Sequence, residues 1–124
     1  MAVTTRDLRQ AVRARLADER GTLVVDAPER VALAYPSPYH VGMSSLGFQS
    51  IYREIHGTPG RAAERAFLPE ATEAYRVSRT PLFTYESERP VGDFPVVAMS
   101  VAYEIELAGV VEVLELSGLP ALAE

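Results

Sequence analysis

Tyr39, His40, Gly42, Ser44 and Ser45 stand close together in the stretch YPSPYHVGMSSLGFQSIYREI, residues 35–55. Hydroxyls and an imidazole beside the start of a helix can hold an anion, because free backbone N–H groups and the helix dipole both favour negative charge. The chemistry would be recognition of a phosphate or carboxylate. The stretch has neither the Gly-x-Gly-x-x-Gly of dinucleotide sites nor the Gly-Lys-Ser/Thr of the phosphate loop. A plainer reading uses the same residues: Gly42 and Gly47 permit a tight turn and close helix packing, and the serines cap. His40 fits an axial ligand, an acid/base group or a turn residue. His56 is the other histidine of the chain, and metal sites need several convergent ligands.

A second group, Ser100, Tyr103 and Glu104 with Glu106 behind them, opens another helix. Acidic residues there complement the helix dipole with or without a ligand. Glu64, Glu86 and Glu88 are isolated in sequence, so a paired acid/base arrangement does not follow. Nothing resembles a Ser-His-Asp arrangement or the Gly-x-Ser-x-Gly elbow. The chain has no cysteine, which excludes a disulfide, a thiolate nucleophile and a Cys-ligated zinc or iron–sulfur centre held by its own residues. No residue is assigned a catalytic or metal-binding role. The candidate cofactor-binding set is Tyr39, His40, Gly42, Ser44, Ser45, Ser100, Tyr103 and Glu104.

Positioning these groups takes a regular succession of elements. Residues 5–19 read as a helix capped by Thr4 or Thr5, with Asp7 in its first turn and Leu8, Val12 and Leu16 at four-residue steps. Arg6, Arg9, Arg13 and Arg15 occupy its other faces, as a solvated surface or a basic arm. A short β-prone run at 22–25 and turn chemistry at 26–29 lead into the apolar run 31–35, a strand covered on both faces. Pro36 and Pro38 stop it, leaving a loop over 36–43. The next helix starts near Ser44 or Ser45, carries Phe48, Ile51, Tyr52 and Ile55 on one face, and ends at Gly57 and Pro59. A short strand at 62–67, a variable helix or loop at 69–78 and an extended piece at 81–85 follow. The last unit is an apolar strand within 94–101 and a helix over 105–116, with Leu107, Val110, Val111 and Leu114 as its repeat and Gly118 and Pro120 as its stop. Strand, loop, helix, strand, loop, helix reads as an α/β wound parallel sheet, since parallel neighbours need crossover connections. Ligands gather beyond the carboxyl ends of such strands. The two loops that meet that edge, 36–43 and 100–104, hold the candidate residues.

One domain is the default for 124 residues, 48% of them hydrophobic. No segment reaches the roughly 18 apolar residues of a membrane span, and the N-terminal stretch lacks a signal peptide's apolar core. A cytoplasmic location is expected. A net charge of -5 and a pI of about 5.1 argue against nucleic acid as the main partner.

Three blocks in order, YPSPYHVGMSSLGFQSIYREI (35–55), AERAFLP (63–69) and TPLFTYESERPVGDFPVVAMSVAYEIELAGVVEVLELSGLP (80–120), resemble the N-terminal region of radical SAM proteins with a cobalamin-binding-like domain. The resemblance implies a Rossmann-like, B12-binding or flavodoxin-like parallel sheet with flanking helices, preceding a radical SAM barrel in which a [4Fe–4S] cluster and S-adenosylmethionine generate a radical. It divides the chain into an N-terminal helix at 1–21, a B12-binding-like domain at 22–120 and a tail at 121–124. The cluster-binding CxxxCxxC is absent, so radical chemistry would belong to a barrel in cis or in trans. The DxHxxG motif of many cobalamin proteins is absent too; His40 precedes Val41 and Gly42 without the Asp. Cobalamin binding would then use the strand-end loops without an axial histidine. The family's domain is expected to continue past Pro120, so 22–120 reads as the front of a domain whose open sheet edge another segment or a second copy would cover. The expected function is to position cofactor or substrate for the barrel. Two alternatives stand beside it: a stand-alone binding module for a phosphate-bearing small molecule, and a homo-oligomeric interaction domain.

Overall fold

A computed structural model describes residues 3–19, 28–101 and 106–119. The elements are α1 (Thr5–Asp18), β1 (Glu29–Tyr35), α2 (Tyr39–Met43), α3 (Leu46–Gly57), β2 (Arg61–Phe67), α4 (Thr72–Val77), β3 (Val96–Met99) and α5 (Leu107–Leu116), with a short turn of 3-10 helix at Val91–Asp93. The predicted β-prone run at 22–25 lies outside the described residues. No helix among the described residues is long and apolar enough to cross a membrane.

The strands form a parallel sheet in the order β2-β1-β3. This open, Rossmann-like α/β arrangement follows from the crossover rule: α3 carries the chain from β1 to β2, and the return crosses behind β1 to reach its other side. Ala32, Leu33, Ala34 and Tyr35 are all buried, as the unbroken apolar run predicts for a central strand. On its outer side β2 meets the segment that follows α4, where the Tyr85 N–H donates to the Arg65 carbonyl at 2.8 Å. Phe83 and Pro90 close that segment with an antiparallel bridge.

Local chemistry explains the helix starts. Thr4 caps α1 in a reciprocal box: its hydroxyl accepts from the Asp7 N–H at 3.2 Å, and the Asp7 carboxylate accepts from the Thr4 N–H at 2.9 Å. Such a cap contributes about 1 kcal/mol. Leu8 and Val12 then enter the same core as Leu33, Phe48 and Phe67. Arg13 and Arg15 of α1 turn back onto the protein: Arg13 pairs with Glu88 at 2.6 Å, and Arg15 donates to the Tyr85 hydroxyl at 2.8 Å. Ser45 caps α3, accepting from the Phe48 N–H at 3.3 Å.

The structure corrects several details. The predicted loop at 36–43 contains the helix α2. On α3 the buried residues are Phe48 and Tyr52, whereas Ile51 is exposed. On α5 they are Val113 and Leu116, whereas Leu107 and Val111 are exposed. Both helices are apolar on more than one side, so spacing alone did not fix which side faces the sheet. The last strand, Val96–Met99, is shorter than the apolar run 94–101, and it starts only after Pro95, which cannot donate to the ladder.

Candidate functional site

The loops after β1 and β3 meet. The Ser37 hydroxyl donates to the Glu106 carboxylate at 3.1 Å, and the Ser100 N–H extends the ladder to the Ala34 carbonyl at 3.0 Å. Gly109, one turn into α5, lies against Pro36, so that a Cβ there would run into the Pro36 carbonyl oxygen and come within 3.2 Å of the Pro36 Cβ. Glycine is needed for this close approach. The contact sits where the chain leaves β1 in one direction for β2 and returns on the other side as β3, the switch point at which open α/β sheets hold ligands. Glu106 is buried and Ser37 and Ser100 are half-buried.

The candidate residues of the first loop divide. His40 and Ser44 are exposed on or just after α2, and the Ser44 hydroxyl donates back to the His40 carbonyl at 2.7 Å. The Ser45 hydroxyl is the α3 cap. Gly42 is buried because α2 lies on the end of β2: a Cβ there would strike the Phe67 ring, whose Cδ1 lies 2.7 Å away. Tyr39 faces inward. Its ring stacks on Tyr85 at 5.2 Å with an interplanar angle of 3° and meets Phe67 edge-on, while its hydroxyl donates to Glu19. Burial, reinforced by that bond to Glu19, pushes the Tyr39 phenol up and keeps it protonated. Of the second loop, Ser100 lies at the strand end, and Tyr103 and Glu104 fall outside the described residues.

Sequence reasoning missed the buried charges. Glu64 and Arg65 are neighbours on β2 and project to opposite faces, yet both are buried, at 1% and 2% exposure. The Arg65 guanidinium donates to both oxygens of Glu19 at 2.8 and 2.9 Å and, through Nε, to Glu86 at 2.7 Å. The Glu86 carboxylate also accepts from the Arg65 N–H and the Tyr52 hydroxyl, each at 2.7 Å, and the Tyr52 ring lies 4.9 Å below the guanidinium. Every charge has partners, the condition for placing ions inside a protein. Burial still holds the Glu86 carboxyl above its ordinary range, against the pull of Arg65. On the other face, Arg30 at 2.5 Å, Thr84 at 2.7 Å and Ser87 all donate to Glu64. Burial raises the Glu64 carboxyl, but those donors outweigh it and the net shift is downward. Among the described residues, no three His, Asp or Glu side chains gather as metal ligands do.

An open parallel α/β sheet with its first switch point between β1 and β3 defines the class: a wound, Rossmann-like α/β domain. The family model "Radical SAM proteins, N-terminal" matches residues 47–124, and the chain belongs to that family. The match begins inside α3, so Tyr39, His40, Gly42, Ser44 and Ser45 precede it. No curated protein matches the chain, and no solved structure does. Radical SAM membership implies S-adenosylmethionine and an iron–sulfur cluster in the full protein. The residues here do not fit the cluster, since the chain supplies no thiolate.

Proposed function

We propose that this chain is a B12-binding-like domain that positions cofactor or substrate for a radical SAM barrel, supplied in cis or in trans, and that it is not catalytic by itself. The observation that carries the reading is the Ser37–Glu106 contact at the β1/β3 switch point. The strand order β2-β1-β3 is the opening of the flavodoxin-like order, in which the ligand lies at this same point. Residues at the two strand ends, Ser37, Ser100 and Glu106, would line the ligand edge.

Cobalamin is the cofactor the reading favours. Its corrin would rest on the strand-end loops rather than on an axial histidine, because the only imidazole near that edge, His40, projects from α2 without the motif's Asp. The test is to titrate the chain with hydroxocobalamin and follow the corrin absorption spectrum, with His40→Ala in parallel. A saturable spectral change that survives His40→Ala is expected. An unchanged spectrum removes cobalamin from the account. Calorimetry with nucleotides separates the alternative: tight nucleotide binding with no cobalamin response identifies a phosphate-ligand module.

A second reading, an interaction domain, is favoured by one surface. Among the described residues β3 has no outer neighbour, and Val96, on that strand, and Val101, just past its end, are exposed. Such an edge accepts another strand, from a further segment or a second copy. Sedimentation of the chain with and without Val96→Lys distinguishes a dimer through this edge from a monomer.

A further inference from the structure

A cavity of about 260 Å³ lies between α1 and the carboxyl end of β2, and it shares no lining residue with the β1/β3 switch point. At a water's share of about 30 Å³ it has room for a small organic molecule. Leu8, Val12, Phe67 and Phe83 give it apolar walls, and Arg15 and Tyr75 also line it.

Two polar groups there are under-used. Tyr75 is only 7% exposed, its ring stacks on Phe83 at 5.9 Å, and its hydroxyl makes no hydrogen bond among the described residues. The hydroxyl oxygen reaches solvent, so its O–H is free to donate to a bound acceptor. Burial pushes the Tyr75 phenol up to about 12, which keeps it a donor at neutral pH. Arg15 gives one N–H to the Tyr85 hydroxyl at 2.8 Å and lies 5.2 Å from the Tyr39 ring, with no carboxylate partner among the described residues. Its remaining donors suit a carboxylate, the anion a guanidinium binds in bidentate fashion. The Glu70 carboxylate, exposed at the lining, disfavours a ligand with a second negative charge.

We propose that this cavity is a binding site for a small monocarboxylate with an aromatic or short alkyl body, its carboxylate held by Arg15 and Tyr75 and its body packed on Leu8, Val12, Phe67 and Phe83. The site is independent of the function proposed above.

The test is calorimetry and amide NMR of the chain with phenylacetate, its neutral isostere phenylacetamide, and acetate. Phenylacetate is expected to saturate, to bind at least about tenfold tighter than phenylacetamide, and to shift the amides of Arg15, Tyr75 and Phe83. Acetate, lacking the apolar body, is not expected to saturate. Arg15→Gln should weaken phenylacetate by about tenfold, and Tyr75→Phe, which keeps the ring, by a smaller factor. The absence of saturable binding at millimolar phenylacetate overturns the proposal. So does equal affinity for the acid and the amide, a comparison on the parent chain that stands even where a variant fails to fold.

Discussion

Replacing Arg65 with Met removes the cation that Glu19 and Glu86 share, and leaves both carboxylates without it in a site where all three side chains are at most 8% exposed. Methionine is close enough to the arginine stem in shape that the cavity term stays small, so the cost is chiefly electrostatic. Breaking one buried pair by deleting one partner costs about 3–5 kcal/mol; two pairs share this cation, which points to the upper end. Loss of the contact with the Tyr52 ring adds about 1 kcal/mol. Against a domain stability of about 5–15 kcal/mol, that is a large fraction. The assay is urea unfolding followed by far-ultraviolet circular dichroism, where the midpoint should fall by about 2 M with little change in slope. A pH arm tests the cause. Without Arg65, burial raises the Glu86 carboxyl further. A carboxyl whose folded pKa is raised gives its stability below the unfolded value, about 4.3, and loses it as pH rises through the folded value. The deficit of Arg65→Met should therefore shrink on going from about pH 7 to about pH 5. The triple variant Glu19→Gln, Arg65→Met, Glu86→Gln should recover much of the loss, since neutral replacement of a buried ionic group is often near-neutral in stability. A deficit under about 1 kcal/mol, or one that does not change with pH, would show that the Arg65 charge does not hold Glu19 and Glu86 in the core.

Gly42→Ala drives a methyl group into the Phe67 ring and should cost about 1–3 kcal/mol in the same urea assay; an unchanged midpoint would show that α2 does not lie against β2. Glu64 is held below its ordinary range by Ser87, Thr84 and Arg30 despite burial, so its contribution is present above the unfolded pKa and lost as pH falls through the lowered one. Glu64→Gln should thus be less stable than the parent near neutrality and lose less than the parent on acidification, as thermal melts across that range would show. Ser37→Ala and Glu106→Gln, combined in a double-mutant cycle, should show a coupling of about 1 kcal/mol; a coupling of zero would mean that the two loops are not joined.

How far the sequence reached depends on which physical signal each part leaves. The strand β1 was legible because Ala32, Leu33 and Ala34 form an unbroken apolar run, which a central parallel strand requires. The starts of α1 and α3 were legible because Thr4 and Ser45 are short-range caps whose partners lie three residues on. The helix α2 was not, since prolines and a glycine dominate a segment whose folding depends on Phe67, far along the chain. The burial of Glu64 and Arg65 was the least legible feature. Charged neighbours in a strand read as exposed, and only partners distant in sequence, Glu19, Glu86 and Arg30, make their burial tolerable. Of the candidate site, the approach of the segments that follow β1 and β3 was expected from topology, but the pair that joins them, Ser37 and Glu106, was not. Ser37 lay between two prolines just past the strand end, a position that in retrospect points at the switch point.

A ligand edge at the β1/β3 switch point should be visible in amide NMR of the chain with hydroxocobalamin. Shifts concentrated at Ser37, Ser100 and Gly109 are the predicted result. Spectra without shifts, or shifts confined to the cavity under α1, would contradict it.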